Sequence, residues 1–193
     1  MATQSTRRER MSKLNPENMT EAQRKAAAEL ASGPRGEVRG PFNVLLRSPE
    51  LMSPLQKVGE YLRFRCQLDR RIAEMATLIA ARHWTQVYEW NAHHPLALKA
   101  GLKPDIAQAI AEGRRPTAMA VDEEIVYDVL TEALQNKSVS DVTYERGIKQ
   151  FGEQNLVDVL AIAGYYAMLA LLLNVARTQL PEGREAGMPH FPN

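Results

Sequence analysis

Between Glu74 and Leu102 the chain gathers residues that can move protons. Glu74, His83, Trp84, Gln86, Tyr88, Glu89, Trp90, His93 and His94 all fall there, including both tryptophans and three of the four histidines. Glu89 and His93 stand four apart, so on a helix they share a face. A carboxylate beside an imidazole can fix its tautomer and share its proton, which is what general acid–base chemistry needs. Glu74 belongs to the preceding element and can fold back alongside. The same i,i+4 spacing also describes an ordinary helix-surface contact, and both readings stay open. His83, Glu89 and His93 offer metal-ligating atoms, but the H-E-x-x-H pattern is missing and no metal is expected. His94, just ahead of Pro95, reads as helix surface. The Tyr165–Tyr166 pair reads as core packing before substrate contact.

The elements that must position these residues are helical. Thr20-Glu21-Ala22-Gln23 fits a capping box opening a helix that ends at Ser32-Gly33-Pro34. Gly33, Pro34, Gly36, Gly40 and Pro41 then mark an irregular connection. Ser48-Pro49 and Ser53-Pro54 each place a cap before an N1 proline, with a helix expected from about Pro54 to Phe64. Asp69 caps the next helix, with Ile72, Met75, Ala76, Ile79 and Ala80 on one face. Thr85 caps a third that runs to Ala100, with Gly101 at C′ and a kink or break expected near Pro95. Shorter helices follow from Pro104 to Gly113, Ala120 to Gln135 and Asp141 to Phe151. The last runs from about Gln154 to Thr178, and no residue from Val159 to Ala176 is charged. Gly164, Tyr165, Tyr166 and Asn174 interrupt its hydrocarbon character and no basic cluster flanks it, so a buried bundle helix is expected rather than a membrane span. Sustained alternation of β-branched residues is absent, so strands are not expected. The domain reading is a flexible tail over 1–19, a single all-α domain over 20–183 and a C-terminal tail over 184–193.

Composition narrows the function classes. Lysine and arginine number 24 against 23 acids in 193 residues, so no broad field favours nucleic acid or anionic lipid. The mild basic excess before residue 40 reads as a solvated arm. A single cysteine, Cys66, excludes an internal disulfide framework, a C-x-x-C redox pair and a zinc site built on several thiolates. The polar, basic N-terminus lacks an apolar h-region, and a cytoplasmic location is expected.

The run Glu74 … Gln86-Val87-Tyr88-Glu89-Trp90-Asn91-Ala92-His93 … Ala97 … Gly101-Leu102 resembles the core of the carboxymuconolactone decarboxylase family. That superfamily also holds the alkylhydroperoxidase D proteins. Its peroxidase branch carries a glutamate, a C-x-x-C beginning twelve residues on, a histidine four past the second cysteine, and a closing Gly-Leu. Here Glu74, His93 and Gly101-Leu102 take the matching places, while Gln86 and Glu89 stand where the cysteines would. Arg82-His83-Trp84 with Tyr88-Glu89-Trp90 resembles the decarboxylase-like branch instead. Weaker matches extend the resemblance over roughly residues 38–183.

The resemblance implies an all-α fold, an alkylhydroperoxidase D-like helical bundle with a central helical hairpin. It implies a homo-oligomer, trimer or hexamer, with a site near subunit contacts, and the uncharged last helix suits such contacts. It implies a cofactor-free enzyme acting on a small carboxylated substrate by decarboxylation or related lactone chemistry. In that reading His93 delivers the proton, Glu89 orients it or shares the proton, and Glu74 supports them. Arg82 holds the substrate carboxylate, and Trp84, Tyr88 and Trp90 wall the pocket. Two alternatives stand beside it: a peroxidase-like protein working through Cys66, and a non-catalytic oligomeric binding module.

Overall fold

The computed structural model describes residues 8–189. Its helices are α1 (Glu21–Ser32), α2 (Pro41–Leu45), α3 (Pro49–Glu60), α4 (Arg70–His83), α5 (Val87–Lys99), α6 (Pro104–Ala111), α7 (Val121–Asn136) and α8 (Asp141–Ala176). A 3-10 turn, Pro16–Asn18, precedes α1, and a π-helical turn, Tyr61–Arg65, follows α3. The described residues contain no strand.

α4 is the centre of the bundle. Every residue from Ile72 to Arg82 is buried, and the helix packs against α5, α7 and α8. Alanines at 76, 80 and 81 are fully buried, and their small side chains let neighbouring helices approach closely. α4 and α5 form the expected central hairpin. α1 and α3 pack against each other beside it, while α6 leans on α4 and α5.

Several boundaries follow local chemistry as expected. Thr20 closes its capping box with Gln23 in both directions, at 2.9 and 3.2 Å. At the end of α5, Gly101 takes φ 99° and Leu102 N–H reaches back to the Ala97 carbonyl, closing the helix in a Schellman turn. Others differ. α3 begins at Pro49 and passes through Pro54. Ser53 does not cap; its hydroxyl donates to Glu29 Oε2 at 2.8 Å, tying α3 to α1. α5 is capped by Gln86, whose side chain accepts from Tyr88 N–H at 2.7 Å. Thr85 does not cap: its backbone is left-handed (φ 48°), whereas an N-cap residue is extended, and its hydroxyl accepts from Arg82 at 3.0 Å. α5 continues across Pro95 without a break. The two expected C-terminal helices are both present, joined at a kink where Gly152 leaves helical geometry (φ 72°, ψ 170°), and are labelled together as α8.

α8 is long and apolar enough to cross a membrane by length and composition, yet just over half of its most apolar stretch is buried inside the bundle. The N-terminal tail has a defined path from residue 8: Arg10 N–H donates to the Ala176 carbonyl at 2.8 Å, and Arg47 donates to the Ser12 carbonyl at 2.7 Å. The rest of that expected tail lies outside the described residues. The C-terminal segment crosses α5, with Met188 buried, Gly187 against Trp90 and the Glu185 carbonyl accepting from Asn91.

Candidate functional site

The face of α5 that carries Tyr88, Glu89, Ala92, His93 and Leu96 closes one side of a cavity of about 600 Å³. α8 supplies Tyr165, Tyr166 and Leu169. The loop before α2 adds Arg35 and Gly40, and the π-helical turn adds Arg63. This volume suits a small organic molecule. Gly40 makes the loop's approach possible. It has φ 56°, and a Cβ there would lie 2.7 Å from the Tyr88 ring.

Glu74 and His93 meet across the α4–α5 hairpin. Glu74 Oε2 lies 2.7 Å from His93 Nδ1, and the other carboxylate oxygen pairs with Arg70, one turn back on α4. Burial on its own raises the Glu74 pKa. The hydrogen bond and charge of His93, with Arg70 and Arg63 nearby, outweigh it and hold the carboxyl below its ordinary value. An ionised Glu74 must accept, so Nδ1 carries the hydrogen and Nε2 is left for the cavity side. Arg70 also donates to the Arg63 carbonyl, which ties the π-helical turn to the same carboxylate.

Glu89 has the opposite environment. It is buried, its Oε1 has no hydrogen-bond partner, and its Oε2 stands 3.7 Å from His93 Nε2. Burial pushes its pKa up, and the charges of His93, Arg35 and Arg63 offset this only in part. One glutamate is therefore held as an anion on Nδ1, while the other favours its protonated form on the Nε2 side. The 3.7 Å gap is too long for a hydrogen bond. The Tyr166 ring meets His93 edge-on at 4.8 Å and fixes the imidazole plane. Burial raises the pKa of both tyrosines, that of Tyr165 to about 12, so their hydroxyls stay protonated.

Of the residues expected to form the site, Glu74, Glu89, His93 and Tyr88 come together, the first lying behind His93. Arg82, Trp84 and Trp90 do not line this cavity. Arg82 lies eight residues beyond Glu74, about 12 Å farther along the helix axis. There its guanidinium donates to the carbonyls of Ala111 (3.2 Å) and Pro189 (2.6 Å) and to Thr85. Trp84 follows at the hairpin turn, edge-on to His83. Trp90 is rotated about 100° from Glu89 around α5 and is buried on the neighbouring face, stacked on His94. Sequence reasoning passed over Arg35 and Arg63. Arg35 sits in the Gly/Pro connection and Arg63 at a helix end, where periodicity carries no information. A glycine inside α3, Gly59, was the available signal. Cys66 is outside the cavity and half-buried, its thiol donating to the Leu62 carbonyl at 2.9 Å. Among the described residues no cluster of three His, Cys, Asp or Glu could hold a metal ion.

Neither a protein-family model nor a curated protein matches the chain. A solved structure does. The crystal structure of an uncharacterized peroxidase-related protein from Ralstonia eutropha JMP134, described as an alkylhydroperoxidase AhpD core, superposes with a TM-score of 0.70. The match covers 90% of this chain and 93% of that one at 15% sequence identity. The chain therefore has the alkylhydroperoxidase D-like all-helical fold.

Proposed function

We propose that the protein is a cofactor-free acid–base enzyme, a carboxy-lyase of the carboxymuconolactone decarboxylase kind, acting on a small carboxylated substrate. The observation that carries this reading is the polarity of the Glu74–His93–Glu89 array. The imidazole is anchored through Nδ1 by Glu74, whose carboxyl its partners hold below the ordinary value, while Nε2 and the unpartnered Glu89 carboxyl, which burial pushes up, both belong to the cavity wall. In the reaction the bond to the substrate carboxylate breaks and carbon dioxide leaves. Its electron pair passes into the conjugated carbonyl as a dienolate. The Glu89 carboxyl closes the 3.7 Å gap and gives its proton to His93 Nε2, which passes it to carbon, and Glu89 regains a proton from solvent after product leaves. Tyr88, Tyr166 and Leu169 exclude water and strengthen these contacts.

Two features weigh against the alternatives. A thiol mechanism needs a stabilised thiolate, whereas burial pushes the Cys66 thiol up and its proton is held by a carbonyl. A binding module has no need of a buried carboxyl beside an imidazole, and burying one is costly. The reading includes a homo-oligomer. Val157, Leu160, Leu171 and Val175 are exposed, recur at helical spacing along one face of α8, and have Gly164 between them with open space above it. A trimer or hexamer by light scattering is the expected result, and a monomer at micromolar concentration refutes that part.

The test of the activity is carbon dioxide release from carboxymuconolactone by the purified protein. Turnover that falls by about 10²–10⁴-fold in His93→Ala supports the assignment. Full turnover in that variant removes His93 from the role.

A further inference from the structure

The cavity holds two arginines that form no ion pair among the described residues. The Nε atoms of Arg35 and Arg63 are buried and have no hydrogen-bond partner. Arg35 lies over the Phe42 ring at 4.7 Å. The acids that could serve them are committed elsewhere: Glu74 to His93 and Arg70, Glu37 to Arg39, and Glu89 disfavoured as an anion by burial. Like charges sharing a partly desolvated wall repel, and an anion between them relieves that repulsion and fills the empty donors.

A second observation points to the same spot. Gly59 lies inside α3, where glycine costs about 1 kcal/mol relative to alanine. A Cβ there would fall 2.1 Å from the Tyr165 hydroxyl and 2.6 Å from an Arg35 guanidinium nitrogen. The glycine thus admits the hydroxyl and the guanidinium to one place. Tyr165 is only 6% exposed, and its hydroxyl has no hydrogen-bond partner although it lies on the cavity wall.

We propose that Arg35, Arg63 and the Tyr165 hydroxyl form an anion subsite that binds the carboxylate of a small unsaturated or aromatic carboxylate next to Glu89 and His93. This deepens the reading above, transferring to these residues the role expected of Arg82. The walls set the rest of the ligand's character: Phe42, Tyr88 and Tyr166 favour a flat apolar body behind the carboxylate.

Calorimetric titration with benzoate, and with benzamide as its neutral isostere, tests the subsite without depending on turnover. The wild-type protein should bind benzoate more tightly than benzamide. Arg35→Gln and Arg63→Gln should each weaken benzoate by about tenfold or more, as expected for one charge-assisted hydrogen bond, and leave benzamide unchanged. Tyr165→Phe removes a hydroxyl with no partner, so it should fold normally and still weaken benzoate. Gly59→Ala should do the same by displacing both donors. Benzoate binding no tighter than benzamide, or unchanged in both arginine variants, overturns the subsite even if carboxymuconolactone is turned over. Benzoate behaving as expected while carboxymuconolactone is untouched leaves the subsite standing and removes the proposed reaction.

Discussion

The two halves of the α4–α5 hairpin bury charge for different ends. Near the hairpin turn, Arg82 is 6% exposed and its guanidinium is spent on two carbonyls and a hydroxyl that tie together α4, α6, the turn and the C-terminal segment. Two turns back, Glu74 is as deeply buried, but its partner His93 keeps one ring nitrogen on the cavity side. Glu89 and two arginines around that cavity hold unfilled valences. Burial and unusual titration occur in both halves, and what separates them is whether carbonyls and hydroxyls of the chain meet the buried charge. A buried charge bound to carbonyls of several elements fastens the fold, whereas one that no chain carbonyl or acid meets beside a large cavity awaits a ligand.

The sharpest way to break the comparison is to exchange the expected losses. His93→Ala should abolish most turnover, by about 10²–10⁴-fold, and should also melt lower, because the buried Glu74 carboxylate loses its imidazole partner. Arg82→Met should cost stability alone. It should lower stability by about 2–4 kcal/mol through stranded carbonyls and leave the affinity of correctly folded protein for benzoate unchanged. Denaturant melts and calorimetry on both proteins check this, and a loss of ligand affinity in Arg82→Met would erase the distinction.

The two site glutamates allow a finer test, because their pH dependences have opposite signs. Glu74 is held below its ordinary value of 4.5, so its contribution to stability is present above that pH and is lost as pH falls through its folded pKa. Glu89 is raised, so its burial costs nothing below about 4.5 and destabilises increasingly as pH climbs toward its folded pKa. Glu74→Gln should therefore melt lower than wild type at neutral pH, with the gap closing in acid. Glu89→Gln should melt at or above wild type at neutral pH, also converging in acid, and should still lose turnover. Melting curves from pH 3 to 8 decide it; two variants moving in the same direction would contradict the assigned polarity. The smallest effect belongs to Cys66. Cys66→Ser should leave turnover unchanged and should not alter peroxide consumption, and a loss of the latter would revive the thiol reading.

The legible part of the site was the part written in local spacing. Glu89 and His93 stand four apart, and the amphipathic helix carrying Glu74 precedes them, so their meeting follows from helix period and a hairpin. Trp84 and Trp90 misled because residue type was taken as a sign of cavity lining; a rotation of about 100° per residue turns Trp90 away from the face that Glu89 shares with His93. Thr85 is not the cap because the hairpin turn puts it in the left-handed region (φ 48°), and no local rule gives the path of that turn. Arg35, Arg63 and Tyr165 come from a loop, a π-helical turn and α8. The meeting of Arg35 with Tyr165 depends on Gly59 letting α3 pass close by.

The sequence alone determined the helical class, most helix boundaries, the exclusion of paired-thiol chemistry and the Glu/His pair, because each depends on residue type or on separations of a few positions. Only the tertiary structure decided which glutamate its partners hold low and which burial pushes up, where Arg82 places its hydrogen bonds and which cations face the cavity. Those properties depend on burial and on contacts between residues distant in the chain, and both are set by how the helices pack.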